Sequence, residues 1–229
     1  MNTDSLIVQL KGGLIASCQP VENGPMDRTD IVVAMARAAV QGGARGLRIE
    51  GEARVRAVAQ ACSVPIVGII KRDLADSPIR ITPYVDDVLA LSKAGAAIIA
   101  FDGTGRSRPV PREALIEAIH AACKLAMADC SNFADAQAMA NAGCELIATT
   151  MSGYTSGRTP EEPDIEFVRE CAAAGFCTVA EGRFNSPELA ANALEQGAHA
   201  VTVGSAISRV EHIAGWFTAA LDAVAKGRS

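Results

Sequence analysis

The stretch KAGAAIIAFD, residues 93–102, joins the end of a helix to the start of a buried strand. Its first half ends in small residues and a glycine, which is how helices commonly terminate. Its second half is an apolar run that closes on Asp102, and a run of this kind is typical of a strand buried on both faces. The stretch therefore predicts a helix that leads directly into a strand of a parallel sheet, with an acid at the end of the strand.

The same order of residue types recurs along the chain. It appears in QGGARGLRIE (41–50), NAGCELIATT (141–150), AAGFCTVAEG (173–182) and QGAHAVTVGS (196–205). Three more runs match the strand half of the pattern: GGLIASCQ (12–19), PIVGIIK (65–71) and CKLAMADC (123–130). Together with the first stretch, these runs predict eight strands.

Segments with helical spacing lie between the strands. They are TDIVVAMARAAVQGG, TPYVDDVLALSKAG, PREALIEAIHAAC, NFADAQAMANAG, DIEFVRECAAAG and SPELAANALEQG. Strict alternation of strand and helix indicates a parallel sheet with helices outside it. Eight units favour a closed (β/α)8 TIM barrel over an open doubly wound sheet. We expect residues 1–229 to form one compact barrel, with its site at the C-terminal ends of the strands.

Composition narrows the class of protein. Hydrophobic residues make up 49% of the chain and the formal net charge is −5, without basic clusters, so nucleic acid is not an expected partner. No stretch reaches the length of about 20 apolar residues that a membrane span needs. The seven cysteines are odd in number, form no C-x-x-C and do not combine with the three histidines at zinc-ligand spacing. We expect reduced thiols, no metal and a cytoplasmic location.

Polar residues stand at the ends of the predicted strands. In chain order they are Gln19, Arg48, Glu50, Lys71, Asp102, Asp129, Thr149, Thr150, Glu181, Gly204 and Ser205. Charges crowded at one rim lose hydration unless they are paired or used. These residues could instead form a network of structural ion pairs that takes no part in catalysis. A polar end on nearly every strand favours an active site.

Two of these residues predict proton transfer. Strands 3 and 7 are half a turn apart in an eight-stranded barrel, so Lys71 and Glu181 should face each other across the mouth. A positive charge on Arg48 nearby should lower the pKa of Lys71 and make it a usable base. A lowered pKa would equally suit a Schiff base, and the residues alone leave both uses open.

The last two strands predict a phosphate site. AEGRFNSPE places Gly182 and Arg183 after strand 7, and TVGSAISR places Gly204 and Ser205 at the start of a short helix after strand 8. Backbone N–H groups at such a helix start bind anions, and Arg209 follows one turn later. In contrast, GTGRSR (103–108) lacks the third glycine of a dinucleotide fingerprint, so no nucleotide cofactor is expected.

Seven short motifs in the same order show that the chain resembles the N-acetylmannosamine-6-phosphate 2-epimerases of sialic acid breakdown. The motifs are SCQP (17–20), GLRIEG (46–51), GIIKRD (68–73), MADCS (127–131), TTMSGYT (149–155), AEGR (180–183) and VGSAISR (203–209). The resemblance implies interconversion of N-acetylmannosamine 6-phosphate and N-acetylglucosamine 6-phosphate, without metal or other cofactor.

The resemblance also implies roles for individual residues. Lys71 would be the acid/base at C2, and Glu181 either a second proton-transfer group or an aid to ring opening. The residues expected to bind and orient the sugar are Gln19, Arg48, Asp129, Thr150 and Tyr154. Those expected to hold the phosphate are Gly182, Arg183, Gly204, Ser205 and Arg209.

Two other functions fit the same barrel. One is a Schiff-base phosphosugar aldolase that uses Lys71, and the other is a phosphosugar-binding barrel without activity. A borohydride trap on Lys71 separates the aldolase from the epimerase. The apolar C-terminal segment around Trp216 and Phe217, together with family analogy, suggests a homodimer.

Overall fold

The structure, a computed structural model, describes residues 3–155, 157 and 159–226 of the chain. Its strands are β1 (Gly13–Ser17), β2 (Gly46–Glu50), β3 (Ile66–Ile69), β4 (Ile98–Asp102), β5 (Leu125–Asp129), β6 (Leu146–Ala148), β7 (Thr178–Glu181) and β8 (Ala200–Val203). Each strand pairs in parallel with the next, and β8 pairs with β1, so the sheet closes into an eight-stranded barrel. The predicted single-domain (β/α)8 barrel is confirmed.

The helices that surround and follow the strands are α1 (Thr3–Leu10), α2 (Thr29–Gln41), α3 (Glu52–Ala61), α4 (Val85–Ala94), α5 (Arg112–Ala121), α6 (Phe133–Asn141), α7 (Ile165–Ala173), α8 (Pro187–Glu195), α9 (Ser205–Ser208) and α10 (Val210–Lys226). The six predicted helical segments correspond to α2 and α4–α8. Helices α1 and α3 were not predicted from the sequence pattern. In α3, the segment EARVRAVAQA buries only Val55 and Val58 fully, so its apolar stripe is narrow.

Side chains alternate between the inside and the outside of the barrel, as strand geometry requires. One apolar cluster fills the interior and includes Ile15, Val67, Ile98, Leu125 and Val179. The intervening residues pack outward against the helices in two further clusters. A polar layer lies above the apolar interior, at the C-terminal ends of the strands, and it contains the site.

Helix α1 closes the opposite end of the barrel. It comes just before β1, and its Leu6 and Leu10 belong to the interior cluster. The His199 ring bonds the Ile7 carbonyl oxygen at 2.8 Å, and the Gly12 N–H donates to the His199 carbonyl. These contacts fix the helix across the N-terminal ends of β1 and β8.

The strand that carries Lys71 is shorter than predicted. Strand β3 ends at Ile69, and Lys71 lies two residues further on, in an isolated antiparallel bridge with Ile81. The loop folds back because Thr82 donates its N–H to Ile70 and its hydroxyl to the Ala100 carbonyl, at 2.7 and 2.6 Å. The bridge therefore extends the strand and keeps Lys71 at the mouth.

Helix α10 lies apart from the core. It is 17 residues long, and none of its residues is buried. Its main contacts are with α9. Within the described ranges, no helix is long and apolar enough to span a bilayer.

Candidate active site

A cavity of about 410 Å³ opens at the C-terminal ends of the barrel strands. Every residue to which the sequence analysis gave a catalytic or binding role lines this cavity except Asp129, which is fully buried. Of the other strand-end residues, Asp102 lines it, and Glu50 and Thr149 do not. Residues brought in by β1, β2, β3, β7 and β8 thus meet around one volume. That volume suits a small substrate, since pockets for small molecules start at about 300 Å³.

Arg48 is the centre of a buried ion-pair network. Its Nη1 and Nη2 donate to both carboxylate oxygens of Asp129, at 3.1 and 2.6 Å, and Nη1 also donates to Glu181 at 3.0 Å. The side chains of Arg48 and Asp129 are 1% and 0% exposed. Thr150 donates its hydroxyl to Asp129 at 2.7 Å. Asp129 therefore fixes Arg48 from below, while Arg48 faces the cavity.

Glu181 ends β7 and is held on both its backbone and its side chain. The Thr149 hydroxyl accepts from the Glu181 N–H at 3.0 Å and donates to the Glu181 carbonyl at 2.9 Å. The pKa of Glu181 is raised to about 7, mainly by burial; the Arg48 charge lowers it, and the Asp129 charge raises it. The carboxyl thus exchanges a proton near neutral pH.

Lys71 reaches the cavity from the bridge beyond β3. Its Nζ donates to Oε1 of Gln19 at 2.7 Å, and the Gln19 amide in turn donates to the Ser17 hydroxyl at 2.8 Å. Burial lowers the pKa of Lys71, and the positive charges of Arg48 and Arg209 lower it further. The lowered pKa that the sequence predicted for a lysine near Arg48 is confirmed, with burial as the first cause.

The other end of the cavity is formed by the turns after β7 and β8. Gly204 precedes the four-residue helix α9, and Gly182 has a φ of +109°, which a residue with a side chain rarely adopts. Arg209 follows α9 and donates Nε to the Gln19 carbonyl at 3.1 Å. Because the first N–H groups of any helix lack intrahelical acceptors, this end presents donors and one cation.

Arg183 has a different environment from the other predicted phosphate residues. Its Nε donates to the Glu162 carbonyl and its Nη1 to the Ser152 carbonyl, both at 2.7 Å. Its guanidinium also lies over the Tyr154 ring, 5.2 Å from the centroid. The Arg183 side chain therefore connects Ser152 and Glu162, which lie between β6 and α7. Its contact with the Tyr154 ring holds that ring at the edge of the cavity.

Several cavity residues were not predicted from the sequence, among them Arg80, Arg106 and Thr202. Arg80 comes from the long loop after β3, where nothing in the sequence marks it. Arg106 lies in the GTGRSR stretch, and its Nη2 contacts buried Asp102 at 2.6 Å. Thr202 could have been found by counting alternation along β8, because it points inward two residues before Gly204.

Among the described residues, no three His, Cys, Asp or Glu side chains are grouped so that they could hold a metal ion. His120 bonds Glu145, and His199 lies at the opposite end of the barrel.

Comparison with known proteins gives one consistent family. A family model described as "Putative N-acetylmannosamine-6-phosphate epimerase" matches residues 32–223. A relative from Glaesserella parasuis serovar 5, named "Putative N-acetylmannosamine-6-phosphate 2-epimerase", is 55% identical over 222 residues, covering 97% of this chain and 96% of the relative. A relative from Salmonella typhimurium with the name "Putative N-acetylmannosamine-6-phosphate 2-epimerase 2" is 58% identical over 214 residues, 93% of each chain.

Among solved structures, the chain is similar to the N-acetylmannosamine-6-phosphate 2-epimerase from Clostridium perfringens. The TM-score is 0.92 at 36% identity, and the match covers 95% of this chain and 97% of the other. A thiamine phosphate pyrophosphorylase from Pyrococcus furiosus, at 16% identity and a TM-score of 0.61, shares the fold alone. The family model and the full-length relatives agree, and the chain belongs to the N-acetylmannosamine-6-phosphate 2-epimerase family.

Proposed function

We propose that the protein interconverts N-acetylmannosamine 6-phosphate and N-acetylglucosamine 6-phosphate by removing and returning the proton at C2. The observation that carries the proposal is the pairing of Lys71 and Glu181 around one cavity. Burial lowers the pKa of Lys71 from its ordinary value, and the pKa of Glu181 is raised to about 7, so both pKa values are shifted in the direction that favours proton transfer. A binding site without chemistry does not need two such groups.

The reaction requires a base, an acid and a stabiliser of negative charge. In the open-chain sugar, C2 lies next to the C1 aldehyde, so loss of the C2 proton moves the electron pair toward O1. We assign the acid/base role at C2 to Lys71. Glu181, half a turn away around the barrel, is the second proton-transfer group, and protonation from the other face inverts C2.

Arg48 is suited to stabilise the charge that develops at O1. Its Nη1 and Nη2 are occupied by Asp129 and Glu181, but its buried Nε has no hydrogen-bond partner among the described residues. A buried N–H without a partner is costly, and an oxyanion would satisfy it. The Asp129 contact keeps Arg48 in place before the substrate arrives, and Gln19 and Thr150 complete the polar wall beside it.

The phosphate of the sugar belongs at the β7–β8 end. The start of α9 at Gly204 and Ser205 offers backbone N–H groups, Gly182 allows close approach, and Arg209 supplies a charge. For Arg183 we keep the phosphate assignment to the backbone of its turn, since its side chain is bonded to the β6–α7 loop. Tyr154 closes the edge of the sugar site.

The cellular setting follows from the substrate and the thiols. The proposed reaction belongs to sialic acid and amino sugar degradation, and we place it in the cytoplasm. All seven cysteines carry free thiols. Burial raises the pKa of Cys18 and of Cys171 to about 12, with small additions from neighbouring groups. Buried thiols of this kind suit a reducing compartment.

The test is epimerisation in D₂O. The protein is incubated with N-acetylmannosamine 6-phosphate alone, and the H2 signal is followed by proton NMR. We expect the signal to disappear as the gluco product forms with deuterium at C2. Intact H2 and no product would overturn the proposal. Borohydride added to the same mixture should leave Lys71 unmodified, because a trapped adduct would instead indicate aldolase chemistry.

We further propose that two copies of the chain associate through α10. Its large apolar residues recur every three or four positions, at Val210, Ile213, Phe217, Leu221 and Val224, so they form one stripe along about 21 Å of helix. Phe217 and Leu221 are 68% and 71% exposed. A contiguous apolar stripe of this size marks a contact surface, and the same stripe on a second copy is its natural complement.

Light scattering after gel filtration tests the dimer. We expect wild-type protein at twice the monomer mass and the double variant Phe217→Glu/Leu221→Glu at the monomer mass. Val8→Glu is the matched control, since Val8 is 70% exposed but lies on α1. A monomeric wild type at micromolar concentration would contradict the proposal.

A further inference from the structure

Thr202 is a buried polar residue that the mechanism above does not use. It lies in β8, its side chain is buried at 2% exposure, and it lines the active-site cavity. Its hydroxyl has no hydrogen-bond partner among the described residues. Buried hydroxyls are usually bonded, so an unbonded one at the floor of a reaction site needs an explanation.

The sheet places Thr202 directly beside Glu181. The two residues are Cα partners in the parallel pairing of β7 and β8, and on its other side Thr202 pairs with Ile15 of β1. Paired residues of neighbouring strands point to the same face, which here is the barrel interior. Ile15 belongs to the apolar interior cluster, so Glu181 is the polar neighbour within the sheet.

We propose that Thr202 is a positioning residue for Glu181: its hydroxyl donates a hydrogen bond to the carboxylate and holds it facing the sugar. The hydroxyl is already close enough to lower the pKa of Glu181, although its geometry falls short of a formed bond. The hydrogen bond itself does not depend on the proposed function, whereas its value for catalysis does.

The charges around Glu181 determine what loss of this donor should do. Arg48 binds the carboxylate from β2, and Asp129 on β5 repels it. Lys71 and Arg209 lie further around the cavity. These charged groups remain when Thr202 is replaced, so the substitution removes only one hydrogen-bond donor to the ionised Glu181 carboxylate. The pKa of Glu181 should then rise, because a carboxylate loses stability relative to the acid.

Thr202→Val tests the proposal, since valine keeps the shape and removes the hydroxyl. Glutamate carboxyl carbons labelled with ¹³C are titrated by NMR without substrate, and Glu181 is assigned from the signal missing in Glu181→Gln. We expect the midpoint of Glu181 to move up by about 0.5–1 unit in Thr202→Val. Thr202→Ser, which keeps a hydroxyl, should titrate close to wild type, and Thr202→Ala provides a second variant without one.

A matched control lies on the neighbouring strand. Thr178 is also fully buried, but its hydroxyl donates to the Phe176 carbonyl at 3.1 Å. Thr178→Val should lower the melting temperature and leave the Glu181 midpoint unchanged. Thr202→Val should instead move the Glu181 midpoint, because on the proposal its hydroxyl acts on the carboxylate, whereas the Thr178 hydroxyl acts only on a backbone carbonyl.

Measurement of kcat/KM against pH distinguishes failure of this proposal from failure of the proposed function. If the protein epimerises its substrate, the acid limb of the kcat/KM profile should shift with the Glu181 midpoint. A shifted Glu181 midpoint in a protein without epimerase activity would contradict the proposed function but support the Thr202–Glu181 hydrogen bond. A wild-type midpoint in both Thr202→Val and Thr202→Ala would overturn the positioning role.

Discussion

The Arg48–Asp129 pair offers a quantitative test of how the site is built. Asp129→Ala removes the carboxylate that accepts two hydrogen bonds from Arg48, at 3.1 and 2.6 Å. Both side chains are almost completely buried, so water cannot replace the lost partner. Breaking a buried ion pair from one side costs about 3–5 kcal/mol, because it leaves a buried charge without its counter-ion.

The structure places the cost at the lower end of that range. Glu181 still accepts from Nη1 of Arg48 at 3.0 Å after Asp129 is removed. Removal of the Asp129 charge also lowers the pKa of Glu181, which makes Glu181 a better partner. We therefore expect a loss of about 3 kcal/mol in the free energy of unfolding. For a chain of this size, that corresponds to a fall of about 6–12 °C in Tm.

Urea denaturation followed by circular dichroism measures the loss, with thermal melts as a second reading. Asp73→Ala is the control, since it also removes an aspartate bonded to an arginine, but its side chain is 77% exposed. An exposed pair is worth less than about 1 kcal/mol. Equal losses in the two variants would refute the view that Asp129 stabilises a buried Arg48.

Three further predictions concern catalysis. Lys71→Ala should reduce kcat by about 10²–10⁴ while calorimetry still detects phosphosugar binding, and full activity would remove Lys71 from the mechanism. Arg209→Ala should raise KM by about 10–100-fold with a smaller effect on kcat, whereas an unchanged KM would exclude it from the phosphate anchor. The kcat/KM profile of wild type should be bell-shaped. It should rise near the Glu181 pKa of about 7 and fall as the pH passes the pKa of Lys71, which is lowered from its ordinary value of 10.5. A flat profile over this range would contradict the roles of the two residues.

The barrel could be predicted from the sequence because five of the eight units carry both signals and the other three carry the strand signal. A helix that ends in small residues and glycine, followed by an apolar run, needs no information from distant residues. The position of α10 could not be read this way. Its apolar stripe predicts a buried face, but the sequence does not say whether that face packs on its own barrel, and in the structure none of its residues is buried.

The site was predictable in outline but not in depth. The polar residues at the strand ends lie around the mouth of the barrel, as the sequence predicted. The nearness of Lys71 to Arg48 predicted the direction in which the pKa of Lys71 shifts. The sequence does not show that Asp129 lies beneath Arg48 rather than in the cavity, because that depends on the shear of the barrel. The positions of Arg80 and Lys71 depend on a loop that folds back after β3. Pairing of this kind has no local pattern in the sequence.

The closure of the barrel by α1 has a consequence for handling the protein. Because Leu6 and Leu10 anchor this helix at the end of the barrel opposite the cavity, a surface attachment near the N-terminus would hold the molecule by its base. The mouth would then face the solution, and a phosphorylated sugar could enter unobstructed. Attachment points chosen in this way would orient a whole layer of immobilised molecules without any change to the residues that line the cavity.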